Sequence, residues 1–337
     1  MMRKLDFPDY LELFFSKYAF LQRGLSPNTV SSYSDSLLLF LRFCEDVKGI
    51  RPEKITLFAI NKHFVIDFCD WVESSLENSV ATRNQRLTAM HALFRYIQGE
   101  SPGHAALCRD ILSIRMKKRR QEPPRYLSME AIKAILASPD AKTKEGIRDL
   151  AIIGLLYDSA VRVQELLDLR FGDVTLGKPS TIRVLGKGNK QRIVPILPAT
   201  AKILALYAKR YGLDDAAKHF FTNRGNNPLT RVGVSYILNK HVDAVKEKLP
   251  ELITTTVTPH ILRHSKATHL LLADVNLIYI RDLLGHSSVT TTEIYASTNP
   301  DFLRQAIEKT SSSVFTYVKG RAAKKIELSD FLKQYRV

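Results

Sequence analysis

The sequence predicts a mainly helical protein of two domains, the first helical and the second α+β with one small antiparallel sheet. Three observations predict it. Apolar residues recur at helical spacing over roughly the first 115 residues. A basic stretch ending in Pro123-Pro124 then interrupts the pattern. Beyond it, one pair of β-prone runs flanks a Gly-Lys-Gly-Asn turn among further helical segments. The expected organisation is a helical domain over 1–114, a linker over 115–126, a second domain over 127–310 and a tail over 311–337.

In the first domain, PDYLELFFSKYAFLQRG is amphipathic and stops at Gly24, a C-cap candidate. SPNTVSSYSDSLLLFLRFCEDVKG follows, with Ser26 as N-cap, Pro27 in the first helical position and Gly49 at the end. Two more amphipathic stretches run over about 58–73 and 80–98, the latter carrying Arg83, Arg86 and Arg95 beside its apolar stripe. The linker holds Arg115, Lys117, Lys118, Arg119 and Arg120, a run that either lies along a phosphate backbone or is simply solvated. In the second domain Ser128 caps a helix over 129–137, and another covers 145–158. A turn and a short helix containing Arg162 come next, then the hairpin TIRVLGKGNKQRIVPI. Helices are expected near 199–211, 230–248, 259–272, 276–284, 287–297 and 301–310.

The composition is that of an ordinary globular chain of 337 residues, 45% hydrophobic and 25% charged. No apolar run reaches the roughly 18–20 residues of a membrane span. The opening MMRKLDFPDYLELFF lacks the apolar core of a signal peptide, so a cytoplasmic location is expected. Cys44, Cys69 and Cys108 lie far apart without a CxxC pair, which excludes a disulfide framework or thiolate zinc site and predicts buried, reduced thiols. Fifty Lys and Arg against 34 Asp and Glu leave a net charge of +16. That excess favours a polyanionic partner, because cations that neutralise phosphates release condensed counterions. Charge alone does not separate nucleic acid from an acidic membrane surface.

Four segments carry residues suited to chemistry. In SAVRVQELLDL, Arg162 and Glu165 lie three apart, an arginine pre-oriented by an acid one turn on. In GKGNK, Lys187 sits at the hairpin tip between glycines that allow close backbone approach, although the turn is no Walker A loop. In TPHILRHSKATHLL, Thr258 and Pro259 open a helix whose N-terminal end suits an anion, with His260 and Arg263 on one face. In RDLLGHSSVTTTEIYAS, Gly285 ends one helix, His286 sits at the break and Tyr295 follows nine residues on. His260 and His264 are spaced for zinc, but HILRH lacks the Glu of HExxH and its neighbours are cations that repel a metal, so no metal site is expected.

Taken together and in this order, the segments resemble the tyrosine recombinase (phage integrase) family over nearly the whole chain. The first domain looks like the family's core-binding, SAM-like domain, and the second like its catalytic domain, with Xer-like members the most similar. The resemblance assigns Arg162, Lys187, His260, Arg263, His286 and Tyr295 as active residues, with Glu165 in support. Two departures stand out. Ala160 replaces a common Gly before the first Arg, tolerable if φ there is negative. Lys266 replaces an apolar or small residue, as a further DNA contact or a solvated side chain. The tail after Ser311 is longer than a minimal Xer-type protein needs.

What the resemblance implies is site-specific cleavage and rejoining of DNA through a 3′-phosphotyrosine on Tyr295. Arg162 and Arg263 would bind the non-bridging phosphate oxygens, and His260 would move the phenolic proton. His286 would bond a phosphate oxygen, and Lys187 would protonate the leaving 5′ oxygen. No cofactor, metal or ATP is implied, because the phosphotyrosine conserves the energy of the broken bond. The implied partners are double-stranded DNA with a specific site and further protomers, in a homo-tetramer or a hetero-tetramer with a related recombinase. DNA contacts are expected from Arg83, Arg86, Lys117, Lys118, Arg119, Arg120, Lys190, Arg192 and Lys266, and residues 301–337 are expected to dock on a neighbour. Type IB topoisomerase-like relaxation and a non-catalytic DNA-binding accessory role are the competing readings.

Overall fold

The computed structural model describes residues 5–118, 125–186, 190–223, 225–286 and 288. The chain divides into two compact units, residues 1–121 and 122–337.

Among its described residues the first unit contains helices and no strand. α1 (Phe7–Leu13) opens on an Asp6 cap and runs on without a break as a π-helical stretch over Phe14–Gln22. α2 (Pro27–Asp46) starts where Ser26 Oγ accepts the Thr29 N–H, with Pro27 in its first turn. α3 (Lys62–Ser74) begins later than the apolar pattern suggests, because Asn61 caps it and residues 57–59 form a turn. α4 (Val80–Glu100), capped by Ser79, and the short α5 (Ala105–Leu112) complete the unit. Its core is aromatic: Phe7, Phe14, Phe40, Phe43, Phe68 and Phe94 are all buried. Cys44, Cys69 and Cys108 are buried free thiols, and burial pushes Cys44 up to about 12.

The second unit is built around α7 (Lys144–Ser159), which buries residues on every face and packs on α6 (Met129–Ala137), α9 (Pro198–Tyr211), α10 (Arg231–Lys248) and α11 (Pro259–Leu272). Between α7 and α9 run the short α8 (Val163–Leu167) and the sheet. β2 (Thr181–Leu185) and β3 (Gln191–Pro195) form the expected hairpin, with Gly186 N–H donating to the Lys190 carbonyl at its neck (2.8 Å). A third strand, β1 (Val174–Thr175), pairs antiparallel with β2; its two residues are too few to carry an alternating pattern. Ile182, Val184 and Val194 face the core, so strand parity turns Arg192 to the inner face and leaves Ile193 71% exposed. α12 (Leu277–Leu284) ends the described helices.

Ala160 departs from expectation. Its φ is +50°, in the left-handed region that a non-glycine residue enters at a cost of roughly 1–2 kcal/mol. The position tolerates alanine for a different reason: its fully buried methyl packs with Ala267, Leu271, Ile280 and Leu284. Burying a methyl group recovers about 0.8 kcal/mol, and glycine would add chain entropy to the unfolded state. Ala160→Gly is therefore expected to change stability by less than about 1 kcal/mol. Ala160→Val, a β-branched residue in the same φ region with no room, should cost about 3 kcal/mol or more. Denaturant unfolding of the two variants checks this, and equal losses would refute it.

Candidate active site

The left-handed turn at Ala160 ends α7 and sends the backbone extended through Arg162, which becomes the N-cap of α8. This corrects the sequence expectation that Arg162 lies within the short helix. The Arg162–Glu165 pair arises as a cap: Glu165 Oε2 accepts the Arg162 backbone N–H (2.8 Å) and Oε1 accepts Arg162 Nη1 (2.9 Å). Arg192 approaches the same carboxylate from β3, its Nη1 donating to Oε1 (2.9 Å) and Nη2 to Oε2 (2.8 Å). Four donors thus fill the roughly four acceptor sites of one carboxylate. Burial by itself raises the Glu165 carboxyl, but the bonds and charges of Arg192 and Arg162 outweigh it and hold the group below the usual carboxylate range. A saturated, ionised Glu165 has no lone pair left to serve as a base.

The second focus is the C-terminal end of α12. A helix leaves its last four carbonyls without intrahelical partners. Here Gly285, at φ +60°, closes a Schellman turn in which Gly285 N–H donates to Asp282 O and His286 N–H to Arg281 O. The next three carbonyls are taken by arginines from three other segments. Arg192 Nε donates to Leu283 O (3.3 Å), Arg263 Nη2 to Leu284 O (2.5 Å) and Arg162 Nη2 to Gly285 O (3.5 Å). The negative end of the helix dipole favours guanidiniums here. Arg263, 2% exposed, also donates Nη1 to Ala160 O (2.6 Å), tying α11 to the α7 terminus as well.

Three histidines share this surrounding. His260 and His264 lie one turn apart on α11, with ring centroids 4.1 Å apart and edge to face. Burial, then Arg263 and Arg162, lowers His260. Burial, then His260, Arg263 and His286, brings His264 down to about 4. Burial, then Arg263, Arg162, Arg192 and His260, brings His286 down to about 4. Burial and the neighbouring cations thus favour the neutral imidazole in all three. No group of three or more His, Cys, Asp or Glu among the described residues could hold a metal ion.

Of the six residues singled out for chemistry, Arg162, His260, Arg263 and His286 thus meet around one helix end. Lys187 and Tyr295 lie outside the described residues, as do Arg119, Arg120, the helices expected at 287–297 and 301–310 and the tail at 311–337.

Several of the residues expected to contact DNA also make bonds within the chain. Arg83 is buried, with Nη1 on Asn84, and Arg86 Nη1 donates to Ser36 Oγ. Lys117 pairs with Glu73 (2.7 Å) and exchanges backbone bonds with the Asn84 side chain, so the first linker residues are held against the first unit. Lys266, its side chain 14% exposed, reaches Asp158 (3.4 Å) and lies over the Tyr157 ring. Arg192 faces Glu165. Lys118 and Lys190 are exposed.

The sequence reading did not connect Arg192 or His264 with this cluster. Strand parity was the available signal for Arg192, but Ile193 beside it makes the opposite parity look equally good. In the sequence, His264 stands out only through its i, i+4 spacing from His260, which suggests a metal pair.

The fold and this cluster have known counterparts. Residues 125–301 match the model of the phage integrase family, more than half of the chain. The chain belongs to this family. Residues 12–100 match the phage integrase N-terminal SAM-like domain. A putative integrase/recombinase, y4rC, of Sinorhizobium fredii is 34% identical over 92% of this chain and 93% of its own length. The tyrosine recombinase XerC of Myxococcus xanthus is 30% identical over 85% of this chain and 92% of its own. Among solved structures, the XerH site-specific recombinase in a post-cleavage complex with palindromic difH has TM-score 0.68 at 23% identity, covering 86% of this chain and 82% of that one. The Tn1549 transposon integrase with transposon right-end DNA has TM-score 0.68 at 17% identity, covering 90% and 99%. These two share the fold of this family member. No helix among its described residues is long and apolar enough to cross a membrane.

Proposed function

We propose that this tyrosine recombinase family member cleaves and rejoins DNA at a specific site through a 3′-phosphotyrosine on Tyr295, in integration, excision or transposon movement. The observation that carries this reading is the meeting of Arg162, Arg263, His260 and His286 at the α12 terminus. Three guanidiniums less one carboxylate leave two positive charges in the cluster, with the histidines neutral. A phosphodiester carries one negative charge, and attack by a phenolate brings a second into the transition state. The cluster therefore gains most when that charge develops.

In this reading Arg162 and Arg263 hold the non-bridging oxygens of the phosphate with paired hydrogen bonds. His260, neutral, accepts the Tyr295 proton, and His286 bonds a phosphate oxygen. Lys187, next in the chain to Gly186, protonates the leaving 5′ oxygen. The partner strand's 5′ hydroxyl then attacks the phosphotyrosine, so neither ATP nor a metal is consumed. The first domain acts as the core-binding half of a clamp on duplex DNA in the cytoplasm, and a tetramer, homomeric or with a related recombinase, joins two duplexes. The XerH and Tn1549 structures hold those proteins on DNA, which supports the choice of partner.

A nicked suicide DNA carrying the site, incubated in EDTA without ATP, tests the proposal on a denaturing gel. The native chain is expected to form a covalent complex, and Tyr295→Phe to bind equally and form none. Tight binding without any covalent complex would replace this reading by an accessory role. Relaxation of supercoiled DNA without synapsis would favour a topoisomerase.

A further inference from the structure

Arg192 was expected to be a DNA contact, and its surroundings point elsewhere. All three of its side-chain nitrogens are directed at groups of this chain: two at Glu165 in a fork-to-fork pair and the third at Leu283 O. Its side chain is 15% exposed. A bidentate arginine–carboxylate pair is directional as well as strong, so it fixes the position of the carboxylate. That carboxylate in turn holds both the backbone N–H and the guanidinium of Arg162.

The other end of the guanidinium touches the segment carrying His286. A Cβ built on Gly285 would stand 2.8 Å from Arg192 Nη1 and 2.9 Å from its Cζ, so the bare backbone of Gly285 lies against the guanidinium. Glycine is required twice there, for this approach and for its φ of +60°. Arg192 therefore joins the hairpin strand β3, the α8 cap and the α12 terminus through one planar group.

We propose that Arg192 is a positioning residue for strand cleavage, locking Arg162 through Glu165 and fixing the α12 terminus that leads into His286, and that it does not bind DNA phosphate. The inference rests on the reading of Arg162 as a phosphate-binding residue. Hairpin and arginine are also linked: β3 carries Arg192 five residues after Lys187, so docking of the strand and assembly of the arginine pair occur together. A misplacement of reacting groups by about 1 Å can cost on the order of a hundredfold in rate.

The test compares Arg192→Gln and Arg192→Lys in the full chain, each alone and combined with Arg162→Lys. Cleavage of the suicide DNA at saturating protein, the salt dependence of DNA binding and thermal unfolding are read for each. Arg192→Gln is expected to slow cleavage roughly thirtyfold to a hundredfold, with a slope of log affinity against log salt unchanged. Arg192→Lys, keeping the charge and losing the fork, should recover only part of the rate. Each should slow the Arg162→Lys chain clearly less than it slows the native chain, since part of the effect passes through the one carboxylate that both arginines share. A salt slope reduced by about one, with saturated cleavage intact, would identify a phosphate contact and overturn the proposal. Unchanged cleavage, or fully additive losses, would overturn it too. So would loss of cooperative unfolding in the lysine variant, which would make the role one of holding the fold. If the native chain itself forms no covalent complex on a DNA it binds tightly, the functional reading fails and not this assignment.

Discussion

Arg263→Ala is expected to lose both stability and strand cleavage, the largest combined effect of any single substitution in the second unit. The side chain is buried and donates to Ala160 O and Leu284 O, two carbonyls at the ends of different helices. Each carbonyl left unpaired in a buried site costs about 1–3 kcal/mol, and the vacated volume adds to that. The expected loss is roughly 3–5 kcal/mol, read as a lower denaturant midpoint with little change in slope. Removing one charge-stabilising donor typically costs about a hundredfold to a thousandfold in rate, so covalent complex should fall at least that far. Arg263→Lys should lose nearly as much, because an ammonium lacks the planar fork that reaches both carbonyls. A variant with native stability would show that the two carbonyls find other partners. One that cleaves normally would remove Arg263 from the site.

Acidification is expected to weaken the fold and silence cleavage together. His264 and His286 are held down at about 4 against an ordinary 6.5, and His260 is lowered in the same sense. Between about pH 6.5 and 4 the unfolded chain therefore binds protons that the folded chain refuses. Stability is fully present above about 6.5 and is lost as pH falls toward 4. With solvent screening, each of the two strongly shifted groups contributes on the order of 1–2 kcal/mol across that window. Protonation would also add positive charge beside three arginines and remove the acceptor that His260 offers. Unfolding curves at pH 7.5, 6 and 5, with single-turnover cleavage at each, provide the check. Stability rising as pH drops from 7.5 to 5 would refute the assignment of neutral imidazoles.

Much of the architecture was legible locally. Ser26, Ser79, Ser128, Thr230 and Thr258 cap helices because a side-chain oxygen reaches an N–H three residues away, an interaction wholly contained in a short string of sequence. Gly285 ends α12 for an equally local reason. The helix over 259–272 follows directly from such signals, while α3 begins three or four residues later than its apolar pattern suggests because Asn61 captures the start.

The candidate site was legible in its order along the chain and in four of its meeting residues, but not in its connections. Sequence read Arg162 as helical because its spacing to Glu165 fits a helix face. That same spacing fits a cap, and the left-handed turn at Ala160 selects the cap. Lys266 looked like one more exposed cation until the packing of α11 on α7 brought Asp158 beside it.

By itself the sequence determined the family, the helical character, the helix boundaries set by caps, and the set of charged residues available for chemistry. The tertiary structure decided which of those charges face one another. Arg192 meets Glu165 across 27 residues and Leu283 across 91, and Arg162 meets Gly285 across 123. Caps and periodicity act over three or four positions, where the backbone dictates geometry. Contacts at such separations exist only after a core has formed. The buried parity of β3 and the orphan carbonyls of α12, neither visible in a list of residues, then choose the partners.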